Sequence, residues 1–588
     1  MRARHAIRED IHNVEEDGYG PVGEAEVVVT LLNGIGVCPG IAVGPLVRMP
    51  DPVPEPAAGP SRVADANAER SRISPAMEAV AAELRARAEK AKAETRAVLE
   101  ATSYMAVDPG MMDLAITGVV ERNLSAARAV FEAANTFRDM LAAAGGYIGA
   151  RVADIEDVRD RIVAAVLGVP MPGIPDPGHP FILVARDLAP ADTATVDPEK
   201  VLGFVTTEGG PTSHTAILAR TLGVPAVVAA EGALSITEGT TVVLDGGEGT
   251  LNAAPSDAEV QDAEKRMAAR RSAKKQWSGE GATKDGRRIL LLANVGDPKS
   301  AQAGAEAGAE GVGLFRTEFL FLDSAKEPTI AEQEEAYAGV FAAFPDGKKV
   351  VVRTLDAGAD KPLAFLDQGE EPNPALGVRG VRVAFEESGI LDRQLEAVAR
   401  AAQRSSSDVW VMAPMIALAS EAEWFSKKVR EHGLKTPGVM VEVPAAALNA
   451  EQILGVTEFA SIGTNDLAQY TLAADRMAGP LAALNDPWQP ALLKLIGLTG
   501  DAGEKRGKTV GVCGEAASDP VLAVVLVGLG VTSLSMSSRA LADVGELLRT
   551  VTYDECKRLA QVALDAGEAQ ASKKAVRDEL PQLAELGL

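Results

Sequence analysis

Apolar positions change their rhythm several times along the chain. From Val27 to Leu32 a short β-branched run leads into Gly34–Gly44, where apolar residues alternate with turn formers, the pattern of a strand broken by tight turns. Pro50 to Pro60 is proline-rich and reads as a linker. Between about 62 and 168 the spacing turns helical: Met77, Ala81, Leu84, Ala88 and Ala91 share one face, as do Val152, Ile155, Val158, Ile162 and Val163. Proline is almost absent there apart from Pro75 and Pro109, so this stretch is predicted as a helical insert between two β-containing pieces. A Pro/Gly cluster from Pro170 to Pro180 ends it. Strands are then predicted at Phe181–Ala185, Gly203–Thr206, Ala226–Val228 and Thr241–Leu244. A helical run from Asp257 to about Trp277, charged on most faces, reads as a linker helix.

The remainder alternates short apolar runs with helix-compatible stretches. The candidate strands are Ile289–Val295, Gly311–Phe315, Val350–Thr354, Val409–Ala413, Gly438–Val443, Phe459–Gly463, Val510–Cys513 and Ser533–Met536. Eight such repeats over ~300 residues suit a closed (β/α)8 barrel, although a doubly wound open sheet alternates in the same way. Polar residues decide between them. Asn294, Arg316, Arg353 with Asp356, Glu442, Asn465 with Asp466, and Cys513 with Glu515 gather at or just past the C-terminal ends of these strands, where barrels of this kind build their active sites.

Composition narrows the function. The 588 residues carry a net charge of −25 and only 4% aromatics, which disfavours binding to polyanions and stacking on nucleic acid strands. Cys38, Cys513 and Cys556 are too few and too scattered for a disulfide framework or a zinc cluster, so a reducing compartment is expected. No apolar run reaches the ~18 residues that span a bilayer. The first 25 residues are polar and acidic, unlike a signal peptide, and a cytoplasmic protein is expected.

The first chemical constellation is Gly209-Gly-Pro-Thr-Ser-His-Thr-Ala-Ile-Leu-Ala-Arg220. A strand ends at Thr206, a Gly-Gly-Pro turn follows, and a helix begins at Ala216. His214 therefore sits at a helix N-terminus among Thr212, Ser213 and Thr215. Free amide N–H groups there favour an anion and keep an imidazole neutral, leaving one ring nitrogen as a nucleophile. The other four histidines, His5, His12, His179 and His432, have no such setting. The string resembles the phosphohistidine motif shared by enzyme I of the phosphoenolpyruvate (PEP):sugar phosphotransferase system, the PEP synthases and the pyruvate, phosphate dikinases. Thr215 looks more like enzyme I, and Pro211 departs from the arginine that many of its members carry.

Three further constellations lie in the expected barrel. Arg316 in Gly311-Val-Gly-Leu-Phe-Arg-Thr-Glu-Phe-Leu320 and Arg353 in Val351-Val-Arg-Thr-Leu-Asp356 put two guanidiniums at one mouth, a clamp for a dianionic phosphate. Glu442 in Gly438-Val-Met-Val-Glu-Val-Pro444 and Asp466 in Ser461-Ile-Gly-Thr-Asn-Asp-Leu-Ala-Gln-Tyr470 end neighbouring strands. Two carboxylates with substrate oxygens and water are the usual way to hold Mg²⁺. Arg476 adds a third cation. Cys513, in Gly511-Val-Cys-Gly-Glu515, faces the same mouth, where a thiol can give a proton to carbon.

These strings, with Asn373-Pro-Ala-Leu-Gly-Val-Arg379 and Ser535-Met-Ser537, resemble the PEP-binding half of enzyme I. The resemblance runs from about Gly34 to the C-terminus and implies a multidomain α/β protein. Residues 33–60 and 169–255 would form a swivelling phosphohistidine α/β domain, and 61–168 a helical bundle that docks the carrier protein HPr. Residues 256–283 would be a linker helix and 284–588 a PEP-binding and dimerising (β/α)8 barrel, after a poorly ordered extension at 1–32. The resemblance further implies His214 as phosphohistidine and Cys513 as proton donor. Glu442 and Asp466 would hold Mg²⁺, with Arg316, Arg353, Asn465, Asp466 and Arg476 binding PEP. Thr193 matches a threonine that can hydrogen-bond the active histidine, and Ala359 replaces a glycine usual beside the phosphate pocket. A dikinase needs a large nucleotide-grasping domain, for which the residues before His214 leave no room. A non-catalytic scaffold would have lost His214, Glu442, Asp466 or Cys513, and all four are present.

Overall fold

The computed structural model describes residues 31–588 except 51–52, 60–64, 91–98, 100, 145–151, 171–172, 189–195, 198, 211–212, 278, 323, 325, 359–362, 364, 367–368, 370 and 477–478. Residues 1–30, Thr193 and Ala359 thus lie outside the described part. Among the described residues no helix is long and apolar enough to cross a membrane.

The N-terminal α/β unit is one eight-stranded sheet. Its strands are β1 (Leu31–Asn33), β2 (Ile35–Cys38), β3 (Ile41–Arg48), β4 (Phe181–Ala185), β5 (Val201–Thr206), β6 (Ala226–Val228), β7 (Thr241–Asp245) and β8 (Thr250–Asn252). They lie in the order β1-β8-β7-β3-β4-β5-β6-β2. The centre, β3 to β6, is parallel, and the flanks pair antiparallel. All five residues of β4 are buried, as a central strand covered on both faces requires. Ile182 and Val184 pack into one apolar layer, Phe181 and Leu183 into the other.

Between β3 and β4 the chain forms the helices α1 (Ala66–Lys90), α2 (Pro109–Arg122), α3 (Ala126–Ala144) and α4 (Val152–Leu167). Met77, Ala81 and Leu84 of α1 and Ile155, Val158, Ile162 and Val163 of α4 are buried in a single core, and Ala88 is buried as well. Pro109 opens α2 at a position where no N–H is needed, behind Asp108, whose carboxylate accepts the Met111 N–H at 3.0 Å. After β5 comes α5 (His214–Leu222), and after β8 comes α6 (Asp257–Gln276), started by a Ser256–Glu259 capping box. Two arginines of α6 pair on opposite sides of it. Arg266 meets Asp245 of the sheet at 3.1 Å, and Arg270 meets Asp543 of the C-terminal half at 2.6 Å.

The C-terminal half is a closed barrel of eight parallel strands. They are β9 (Leu290–Val295), β10 (Val312–Arg316), β11 (Lys349–Arg353), β12 (Asp408–Ala413), β13 (Thr436–Val441), β14 (Phe459–Ile462), β15 (Thr509–Val512) and β16 (Ser533–Met536). Every predicted strand is present within two residues. Leu314, Val351, Met412, Met440, Phe459 and Cys513 fill the interior, so the barrel is a packed core with chemistry confined to its rim. Three of its helices bear on the site: α7 (Ile330–Ala342), α8 (Ser388–Gln403) and α9 (Thr464–Leu472).

Lys349 opens β11 at the opposite, amino-terminal end, its Nζ 3.6 Å from the centre of the Trp410 ring and 5.3 Å from that of Phe459. Burial pushes this ammonium down to about 7, with Asp408 pulling the other way. The unfolded chain, with a lysine near ~10.4, then binds the proton more readily than the folded one. The charge therefore opposes folding fully below about pH 7, and that penalty fades as pH rises towards 10. Lys349→Met is expected to melt above the parent protein at pH 6, with the gap closing by pH 10. Calorimetric melting of the barrel across that range checks it.

Candidate active site

The polar residues singled out in the barrel do converge on its C-terminal rim. Arg316 and Arg353 are the last residues of the neighbouring strands β10 and β11 and sit in register with each other. Glu442 follows β13, and Cys513 follows β15. Asp466, expected at a strand end, instead lies in the first turn of α9, directly after β14. The three strands β13, β14 and β15 are consecutive neighbours, so these groups face the arginines across the mouth.

Charge balance at the rim is close. Arg353 is buried between Glu318, which it contacts directly, and Asp356 at 3.2 Å. Burial alone would lower its pKa, but the surrounding carboxylates outweigh burial and hold it charged. Arg379, almost wholly enclosed, grips both oxygens of Asp356 at 3.1 Å and reaches Asp466 at 3.0 Å. Arg476 meets the other oxygen of Asp466 at 3.3 Å. Among the described residues Arg316, half-buried at the mouth, has no hydrogen-bond or ion-pair partner.

Glu442 is buried, and its Oε1 accepts the Met415 N–H at 2.7 Å. Burial, then the nearby charges of Asp466 and Asp356, push it up to about 8. That mutual repulsion is relieved by a cation. The buried Thr464 Oγ1 and Glu318 Oε2 also lack hydrogen-bond partners. No group of three or more His, Cys, Asp or Glu suited to a metal occurs among the described residues. The donor set thus fits a hard cation held by two carboxylates, the other positions being left to substrate oxygens and water.

Cys513 lies opposite. Its N–H donates to the Ile462 carbonyl at 3.0 Å and its thiol to the same oxygen at 3.5 Å. Burial pushes the thiol up to about 11, so at neutral pH it keeps its proton. Behind it, Ser535 donates to Asn294 Oδ1 at 2.6 Å, and Asn294 donates to the Cys513 carbonyl at 3.2 Å, which pins this backbone.

His214 is not part of this cluster. It is the first residue of α5, two residues earlier than the start at Ala216 that the sequence suggested, because Ser213 caps the helix by accepting the Ala216 N–H at 3.3 Å. Thr215 is buried and donates to Asp187 at 3.0 Å, fixing this helix end to the loop after β4. The other end of α5 rests on the barrel rim: Arg539 donates to the Leu222 carbonyl at 2.5 Å. At ~1.5 Å of rise per residue, His214 starts roughly 12 Å from that contact. A cleft between the two halves is lined by Cys38 and Arg220 of the sheet unit, Arg270 and Lys274 of α6, and Asn465 and Arg476 of the rim. The flank of the sheet unit thus borders the rim, and among the described residues α5 contributes its carboxyl end to the cleft.

Three family profiles match the chain. The PEP-utilising enzyme N-terminal profile covers residues 33–151, the mobile-domain profile 177–249 and the PEP-binding-domain profile 270–553. A curated phosphoenolpyruvate-protein phosphotransferase of Streptomyces coelicolor is 52% identical over 554 residues, covering 93% of this chain and 99% of that protein. The chain belongs to the PEP-utilising enzyme family. Proteins of the same name from Latilactobacillus sakei and Staphylococcus carnosus are 35% and 36% identical over 94% and 92% of this chain, and over 99% and 97% of their own lengths.

In this PEP-utilising enzyme the mobile-domain match contains His214, and the PEP-binding-domain match contains Arg316, Arg353, Glu442, Asn465, Asp466, Arg476 and Cys513. Two rim residues had no role assigned from the sequence. Glu318 stands two places after Arg316, and Arg379 ends the Asn373–Arg379 segment. The only local signal for either was a charge beside an arginine or a glycine, and their partners are distant in the chain.

Proposed function

We propose that this PEP-utilising enzyme is a phosphoenolpyruvate–protein phosphotransferase that carries the phosphoryl group on His214. The observation that carries this reading is the rim itself: buried arginines, two facing carboxylates and a protonated thiol, in a chain 52% identical over nearly its whole length to a protein of that name.

Glu442 and Asp466 would hold Mg²⁺, which when bound draws charge from the phosphate and carboxylate of PEP. Arg316, Arg353 and Arg476, with Asn465, orient the substrate and offset charge on the transferring group. A ring nitrogen of His214 attacks phosphorus, an N–P bond forms and the bridging P–O bond breaks. The pyruvate enolate leaves, and Cys513 gives its thiol proton to the methylene carbon and is reprotonated by water. Phosphohistidine is a labile phosphoramidate, so the group can pass on to a histidine of a second protein.

We take that acceptor to be HPr, docked on the helical insert, where Leu114 and Val120 of α2 and Met140 of α3 are exposed. Exposed Leu376, Phe385, Leu418 and Leu448 lie on segments following β11, β12 and β13, and supply an apolar face for a second copy of the barrel. The domain boundaries expected from the sequence and a cytoplasmic site of action belong to the same proposal. Since α5 meets the rim through its carboxyl end, loading requires the sheet unit to swing about α6 and the connections of the insert.

Mixing the protein with PEP, Mg²⁺ and purified HPr, without ATP, tests the reading. Pyruvate release matched by phosphate on the HPr histidine, and stopped by a chelator, is the expected result. A strict requirement for ATP would contradict it.

A further inference from the structure

Behind the two arginine-bearing strand ends lies a buried amide that belongs to none of the sequence motifs. Gln394, on α8, is fully enclosed, and each of its polar atoms is engaged. Its Oε1 accepts the Leu355 N–H at 2.9 Å, and its Nε2 donates to Thr317 Oγ1 and to the Tyr337 hydroxyl, both at 3.1 Å. Thr317 in turn donates to the Arg353 carbonyl at 2.8 Å. On the far side, Tyr337 of α7 donates to Gln333 Oε1 at 3.2 Å, and Gln333 donates to the Pro328 carbonyl at 2.9 Å. The amide has one workable orientation. Turned over, its NH₂ would meet the Leu355 N–H, and its oxygen would meet two hydroxyls whose protons are already given elsewhere.

Thr317 directly follows Arg316, and Leu355 stands two residues after Arg353. The ladder between β10 and β11 ends at the Arg316–Arg353 pair. Beyond it, Thr317 and the loop that carries Asp356 have no strand pairing to hold the backbone that directly follows the two arginines. The Thr317–Gln394–Leu355 link takes over at that point. Packing of α8 would be served as well by an apolar side chain of similar volume, so an amide here costs desolvation that only these bonds offset.

We propose that Gln394 is a positioning residue that fixes the separation of Arg316 and Arg353 for the phosphate of PEP. This inference rests on the phosphotransferase reading above. A displacement of ~1 Å at such a clamp is enough to weaken it strongly.

Calorimetric titration of PEP with Mg²⁺ into the full chain carrying His214→Ala, which cannot turn over, separates the possibilities. Stoichiometry reports the folded fraction and the dissociation constant reports the site. Gln394→Met and Thr317→Val are each expected to raise the dissociation constant at least tenfold at near-unit stoichiometry. Thr317→Ser, which keeps the hydroxyl, is expected to stay within threefold. Smaller rises in both Gln394→Met and Thr317→Val, or equal losses in Thr317→Val and Thr317→Ser, overturn the inference. If Gln394→Met does not fold, the Thr317 pair decides. Failure of the His214→Ala parent itself to bind PEP would overturn the phosphotransferase reading instead.

Discussion

Asp466→Asn is expected to slow phosphoryl uptake from PEP by about 10³-fold or more. One carboxylate there does two things: it faces Glu442 across the proposed cation position, and it is gripped by Arg379 at 3.0 Å and Arg476 at 3.3 Å. Asparagine keeps the shape but not the charge. Removing one partner of a buried ion pair costs ~3–5 kcal/mol, which at ~1.4 kcal/mol per tenfold spans two to more than three decades. Loss of a carboxylate ligand adds to this, because a hard cation needs anionic oxygen. The initial rate of pyruvate release, measured with rising Mg²⁺, checks the prediction. Saturating Mg²⁺ is not expected to restore the rate, since the arginines remain misplaced. A rate within tenfold of the parent at any Mg²⁺ concentration would contradict the assignment.

Cys513→Ala is expected to separate phosphate chemistry from carbon chemistry. The thiol is pushed up to about 11 by burial and therefore holds its proton through the neutral range. Its depletion begins only as pH approaches that value, so proton delivery to the enolate should persist to about pH 10. Removing a general acid of this kind costs ~10²–10⁴-fold. The sensitive readout is exchange of the pyruvate methyl hydrogens with deuterium from solvent, catalysed by the phosphorylated protein. Exchange should fall by that factor in the variant. A single loading of His214 should survive, because released enolpyruvate can tautomerise in water. Unchanged exchange in the variant would remove Cys513 from the mechanism.

Much of the architecture is readable locally because the physics that sets it is local. Phe181–Ala185 is five apolar residues between Pro180 and Arg186, and the strand occupies that span. In β10 and β11 an apolar run stops at an arginine, which marks both the strand end and the rim. Thr250–Asn252 gave no such signal, since three residues are too short for a period-two pattern, and its pairing with β7 and β1 makes it a strand. The individual rim residues were likewise marked by their place after strands.

Their partnerships were not. Arg379 reaches Asp356 across 23 positions and Asp466 across 87, and no periodicity records such a bond. Gln394 is another case: a glutamine in a helix usually faces water, and only the folded packing of α8 against the strand ends encloses it. The charges of α6 marked a linker helix, but not that Arg266 and Arg270 pair with residues on either side of it. The placement of His214 away from the rim also depends on how two folded units dock, which helix and strand propensities do not encode.

On the reading proposed above, a single imidazole takes the phosphoryl group directly from PEP. Incubating the protein with ³²P-labelled PEP and Mg²⁺, without any nucleotide, and mapping the label by peptide digestion tests it most directly. One acid-labile, base-stable phosphate is expected on the peptide containing His214, and none on the His214→Ala protein. Label that persists in His214→Ala, or that maps to another residue, would contradict it.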